Sequence, residues 1–130
     1  MRRYAATLGV DVCSDKLPPY RQGLYSRALN LIVVDREATY RVKRCALAHE
    51  LVHWSHGDDG CNTRLYLRAE RRTRRETAML LVSPSDYAIA EQIYEGDAFR
   101  IAAELDVTRQ IVDNYREMVL APMLSMQLAL

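Results

Sequence analysis

The chain has 130 residues, of which 49% are apolar and 27% charged, a composition that suits one compact soluble domain with a core that needs no disulfide support. A net charge of +1 excludes a global pull toward nucleic acid or an anionic membrane, so any basic feature must be local. Cys13, Cys45 and Cys61 are odd in number and lack C-x-x-C spacing, which argues against a disulfide framework or a cysteine zinc knuckle and for reduced thiols.

In chain order, residues 2–8 read as a short helix closed by Gly9. Arg2 and Arg3 precede no apolar run, so the start does not read as a signal peptide, and nothing approaches the roughly 20 apolar residues of a membrane span. The expected location is the cytoplasm. Residues 10–13 alternate like a strand, and 14–19 carry turn chemistry with Pro18 and Pro19. A second strand is expected to begin at Gly23-Leu24-Tyr25. The third, residues 28–34 (ALNLIVV), is the strongest strand pattern and the expected edge for an extended peptide to pair with. Residues 35–38 turn the chain.

Thr39 is the predicted N-cap of a helix through His56, and Gly57 suits the position just past its end, with residues 58–60 continuing as loop. A second helix is expected from Thr63 or Leu65 to the Ser83-Pro84 stop. Ser85 or Asp86 would cap a third, ending at Gly96. Asp97 would cap a fourth over residues 98–105, and Thr108 a fifth through Val119 that Pro122 breaks. The apolar tail, residues 121–130, is expected to pack on the core or, failing that, to make a dimer contact. The fold class is therefore α+β, a small N-terminal sheet of about three strands on about five helices. The organisation reads as one domain, residues 1–130: a sheet region (1–38), metal-site helices (39–84), C-terminal helices (85–120) and the tail.

The chemistry concentrates in His49-Glu50-Leu51-Val52-His53. On a helix, residues four apart share a face, so His49 and His53 can hold one metal ion, and Glu50 between them can serve a water on it. Zinc at such a site acidifies its water and polarises a carbonyl; Glu50 would take the water proton and pass it to the leaving amine. A catalytic zinc takes three protein ligands, so one more is needed. His56 lies roughly 5 Å further along the axis, too far to share the ion, and reads as a helix-end or substrate-contacting residue.

The next helix offers Glu70 and Glu76. At roughly 100° per residue, Arg64, Arg68, Arg71 and Arg75 form one stripe, with Arg72 beside them. Tyr66, Glu70, Thr73, Thr77, Leu80 and Leu81 lie opposite. Glu70 thus points inward, where a carboxylate needs a partner such as a cation, and is preferred to Glu76; its alternative is a salt bridge to Arg74. The oxyanion donor stays open among His56, Tyr87 and Tyr94.

These residues, in this order, resemble the ImmA/IrrE family of intracellular zinc metallopeptidases, which have a zincin-like fold. The resemblance runs through Gly23-Leu24-Tyr25 and Leu31-Ile32-Val33-Val34, the stretch from Arg44 to the His49-Glu50-Leu51-Val52-His53 motif, Glu70-Arg71-Arg72-Thr73 leading to Leu80-Leu81-Val82-Ser83-Pro84, and residues 101–112. It covers roughly residues 5–120. It implies zinc held by His49, His53 and Glu70, with Glu50 as general base. Family members often carry alanine and then aspartate or asparagine where this chain has Thr73 and Arg74, and an aromatic residue at Glu76; an arginine there must turn its charge away from the metal. Members occur mainly in bacteria, phages and mobile elements, and several cleave a helix-turn-helix transcriptional repressor, so such a repressor is the implied substrate class.

Two other readings compete. Residues 101–112 have the rhythm of a helix-turn-helix, which suits a DNA- or protein-binding regulator. Of its reading face, Arg109, Gln110, Asp113 and Asn114, only one residue is basic, and Asp97, Glu104, Asp106 and Glu117 surround it, so direct nucleic-acid binding is not expected. A pseudo-peptidase that keeps the fold but binds zinc poorly is the other.

Overall fold

The computed structural model describes the backbone of residues 2–58 and 63–129 and the side chains of residues 5–58 and 65–128; the expected loop at positions 59 and 60, and Cys61, lie outside them. The fold is α+β, a three-stranded N-terminal sheet and a set of helices. It divides into two compact units, Met1–Thr73 and Arg74–Leu130.

In the first unit, helix α1 (Arg2–Leu8) leads through Gly9, at φ 86°, into β1 (Asp11–Asp15). Strands β2 (Gly23–Ser26) and β3 (Leu31–Asp35) follow, and the order across the sheet is β1-β3-β2. β1 runs parallel to β3 with Val12 opposite Ile32, and β2 antiparallel with Tyr25 opposite Ile32. The strongest strand is thus central, and the expectation that it offers a pairing edge is corrected: the edges are β1 and β2. The reason lies in its burial. Ile32 and Val34, alternate residues on one face, are both buried, which favours the position with a strand on either side.

β3 also begins later than residue 28. Asn30 takes the left-handed conformation at φ 48°, which asparagine tolerates, and residues 27–30 form a turn. Its amide donates to the Gly9 carbonyl at 2.8 Å, and its side-chain oxygen accepts from Trp54 Nε1 at 2.8 Å. Helix α2 (Tyr40–His56) is thereby tied to the turn that enters β3. α2 packs on β2 and β3, and Leu47 and Leu51 join Ala5, Val10, Ile32 and Val34 in one core. Helix α3 (Thr63–Leu81) starts in this unit and ends in the second. Its face divides as expected at Thr73 and Thr77, both fully buried, and at exposed Arg68, Arg71 and Arg75. Tyr66 and Leu80, expected inward, are exposed instead.

The second unit is helical: α4 (Pro84–Ile93), α5 (Ala98–Leu105), α6 (Arg109–Asn114), a π-helical stretch over Tyr115–Leu120, and α7 (Ala121–Ala129). Ser83, not Ser85 or Asp86, caps α4, because Pro84 fits the first helical position, where its missing N–H costs nothing. Asp97 and Thr108 cap α5 and α6 as expected. Pro122 does not break the chain's last helix. The Ala121 N–H reaches back to the Arg116 carbonyl in a widened π turn, which lets a proline without a donor be absorbed. Met123, Leu124, Met126 and Leu128 are exposed, so these described residues of the tail do not pack on the core, and Leu130 lies outside the described residues. Its two-faced apolar composition gives it no single stripe to bury. The core here is Ala90, Ile101, Val107, Val112, Tyr87 and Tyr115, the two rings 4.9 Å apart. No described helix is long and apolar enough to cross a membrane.

Candidate metal centre

Local chemistry sets the position of α2. The Thr39 hydroxyl accepts from the Val42 N–H at 3.3 Å, satisfying a donor at the helix start. At the other end Gly57 sits in the left-handed region at φ 65°. The Gly57 N–H donates to the Trp54 carbonyl at 3.0 Å and the Asp58 N–H to the His53 carbonyl at 3.2 Å. These two bonds are the pair that defines a Schellman closure, with Asp58 folded back over His53.

Between these caps His49 and His53 stack along one face, ring centroids 4.9 Å apart and nearly edge to face at 72°. Glu70 comes to them from α3. Its Oε1 lies 3.0 Å from His49 Nε2 and its Oε2 lies 2.9 Å from His53 Nε2. The three ligating atoms lie within 4.8 Å of one another. Tetrahedral ligands at zinc-like bond lengths sit about 3.4 Å apart, so a small outward shift of these donors would admit an ion. His53 is buried and the other two half-buried, leaving the cluster open on one side.

The donor chemistry favours a cation. His53 Nδ1 lies 2.9 Å from Asp58 Oδ2, and its Nε2 faces Glu70. Both carboxylates can only accept, so without an ion His53 must carry a proton on each nitrogen. Burial alone would lower its pKa, but the bonds to Glu70 and Asp58 overcome burial and hold it above 6.5. Burial would likewise raise Glu70, yet the bonds from His49 and His53 drive it well below the ordinary carboxylate range. Geometrically, one carboxylate facing two imidazole nitrogens is a donor set a divalent metal can take, and the residues fit that group.

Asp58 is itself held. Arg72 Nη2 donates to its Oδ2, and the Thr73 hydroxyl lies 3.3 Å from His53 Nδ1. Burial would raise Asp58, but the bonds from His53 and Arg72 keep it below the usual value. Neither Asp58 nor Arg72 was marked by sequence periodicity; Arg72 reads as part of the exposed stripe. Gly57 was the available signal, since a residue just after it must fold over the one at the helix's third position from the end.

Glu50, the next residue round the helix from His49, is half-buried, and burial pushes its pKa up against the pull of both imidazoles. It lies under β2. A Cβ built on Gly23 would stand 3.0 Å from Glu50 Cγ and 3.3 Å from its Oε1. Only glycine lets the strand come this near the carboxylate.

The remaining candidates are placed as follows. His56 is exposed at the end of α2. Tyr87 and Tyr94 belong to the second unit: the Tyr87 hydroxyl accepts from Arg116 Nε at 2.7 Å, and the Tyr94 hydroxyl donates to Glu104 at 3.1 Å. Cys13 is exposed and Cys45 is buried within α2. No protein-family model, no curated protein and no solved structure matches the chain.

Proposed function

We propose that the chain is a zinc-dependent endopeptidase of the ImmA/IrrE kind. The observation that carries this reading is the convergence of His49, His53 and Glu70 from two helices, with the Glu50 carboxylate beside them. Two imidazoles and one carboxylate leave a fourth position of a zinc ion open to solvent, the arrangement of a catalytic rather than a structural site. Zinc bound there would supply the Lewis acid that polarises a peptide carbonyl and acidifies water.

The protein's own groups do the rest. Glu50 accepts the proton of the attacking water and returns it to the departing amine, and its raised pKa brings it nearer the range a general base needs. β2 is an edge strand that passes over Glu50, so an extended substrate backbone pairing with it lies alongside the base. His49, His53 and Glu70 hold the metal, and the second unit contributes the helix-turn-helix-like pair α5 and α6. The resemblance names the substrate class, a helix-turn-helix repressor in the cytoplasm of a bacterium or carried by a mobile element.

The test is incubation of the zinc-loaded protein with a helix-turn-helix repressor, with cleavage monitored by mass spectrometry. Cleavage by the wild type and none by Glu50→Gln supports the reading. Equal cleavage by Glu50→Gln removes the proposed base.

A further inference from the structure

Asp58 has no part in the proposed metal-holding set, yet it contacts that set's buried member, His53, as closely as Glu70 does, each at 2.9 Å. The Schellman closure normally brings an apolar residue over the helix's third position from its end. Here that slot holds a carboxylate, and the residue beneath it is His53. The Asp58 Oδ2 to His53 Nδ1 distance is 2.9 Å, and Arg72 holds the same Oδ2 from α3. The pair is thus built from three independent constraints: a glycine-dependent backbone turn, an imidazole on the helix inside it, and a guanidinium from the next helix.

A carboxylate at Nδ1 does two things to a neutral imidazole. It keeps the proton on Nδ1 and so leaves the Nε2 lone pair for the metal, and it fixes the ring plane. Nε2 is the atom that faces Glu70. We infer that Asp58, clamped by Arg72, is a positioning residue that sets the tautomer and orientation of His53 for the metal. This rests on the metal-centre reading above. Thr73, at 3.3 Å from Nδ1, is a weaker neighbour that cannot replace the charge.

The experiment measures zinc affinity of the full chain by competition with a chromogenic chelator, together with the imidazole nitrogen correlations of the zinc-loaded protein by NMR. Circular dichroism confirms that each variant is folded. Asp58→Ala should weaken zinc binding about 10- to 100-fold, the usual effect of removing a partner behind a metal-bound histidine. It should also speed the exchange of the His53 Nδ1 proton with water, which Asp58 shields in the wild type. Asp58→Asn, which still accepts through its amide oxygen, should recover part of the affinity and part of that protection. Arg72→Met, which frees Asp58 without removing it, should fall between wild type and Asp58→Ala. Should Asp58→Ala fail to fold, the Asn and Met variants carry the test by the same two readouts. Zinc affinity and Nδ1-proton exchange unchanged in the folded variants overturn the positioning role while leaving the metal centre standing. A wild-type chain that binds no zinc overturns both, and the Asp58–His53 contact is then an ordinary ion pair.

Discussion

Gly23→Ala probes the contact between strand β2 and the proposed base without touching a metal ligand. The added methyl would stand 3.0 Å from Glu50 Cγ, 3.3 Å from its Oε1 and 3.4 Å from Ala46 Cβ. Carbon atoms in good contact sit about 3.5–4.0 Å apart, so one partner must withdraw by roughly 0.5–1 Å. β2 is bonded to β3 along its length, and Ala46 is part of the α2 backbone's buried face. The Glu50 side chain is the part free to move. A displacement near 1 Å in a catalytic group costs on the order of 10²-fold in rate, so kcat/KM should fall about 10- to 100-fold. Overpacking of this size costs about 1–3 kcal/mol, and a yielding side chain places it at the low end. The assay is peptide-cleavage kinetics beside a thermal melt and zinc analysis of the same sample. Full zinc content with kcat/KM within twofold of wild type would refute the claim that the strand positions Glu50.

Three further outcomes follow from the same geometry. In chelated protein, the raised His53 pKa makes its contribution to stability complete below 6.5 and lost as pH rises through the folded value, while the lowered Glu70 pKa makes its contribution complete above 4.5 and lost on acidification. The metal-free melting temperature should therefore peak between pH 4.5 and 6.5 and decline toward pH 8, whereas zinc-loaded protein, whose ligands must shed protons to bind, should hold or gain stability over that rise; identical profiles would count against the site. Gly57→Ala forces a side chain into φ 65° and should lower stability by about 1 kcal/mol in chemical denaturation, with no loss meaning that the turn relaxes freely. Ile32→Ala empties a fully buried place in the central strand and should cost about 2–5 kcal/mol, a value below 1 showing that the sheet core is not close-packed.

Features with local causes were legible in the chain. Thr39, Gly57, Asp97 and Thr108 announced helix ends because a cap is a bond between near neighbours. The His49–His53 spacing and the inward turn of Glu70 followed from helical periodicity, and the structure brings all three together. The order of the sheet was hidden, since an apolar strand such as β3 announces burial but not which neighbours flank it. The approach of Gly23 to Glu50 was hidden for the same reason, because the two meet only once β2 packs on α2. Pro84 read as a stop, and α3 does end before it at Leu81, although the same proline opens α4; Pro122 also read as a stop but is absorbed after a π turn, because proline forbids only the bond it cannot donate. Asp58 was half legible. Its turn was announced by Gly57, but its partner Arg72 sits 14 positions away on another helix.

The most direct measurement is metal content of the purified protein by inductively coupled plasma mass spectrometry, after dialysis against zinc and removal of excess. One zinc per chain is the predicted result for wild type and for Glu50→Gln, with the metal lost from His49→Ala, His53→Ala and Glu70→Ala. A wild-type chain without bound zinc, or a Glu70→Ala variant that keeps it, would contradict the account.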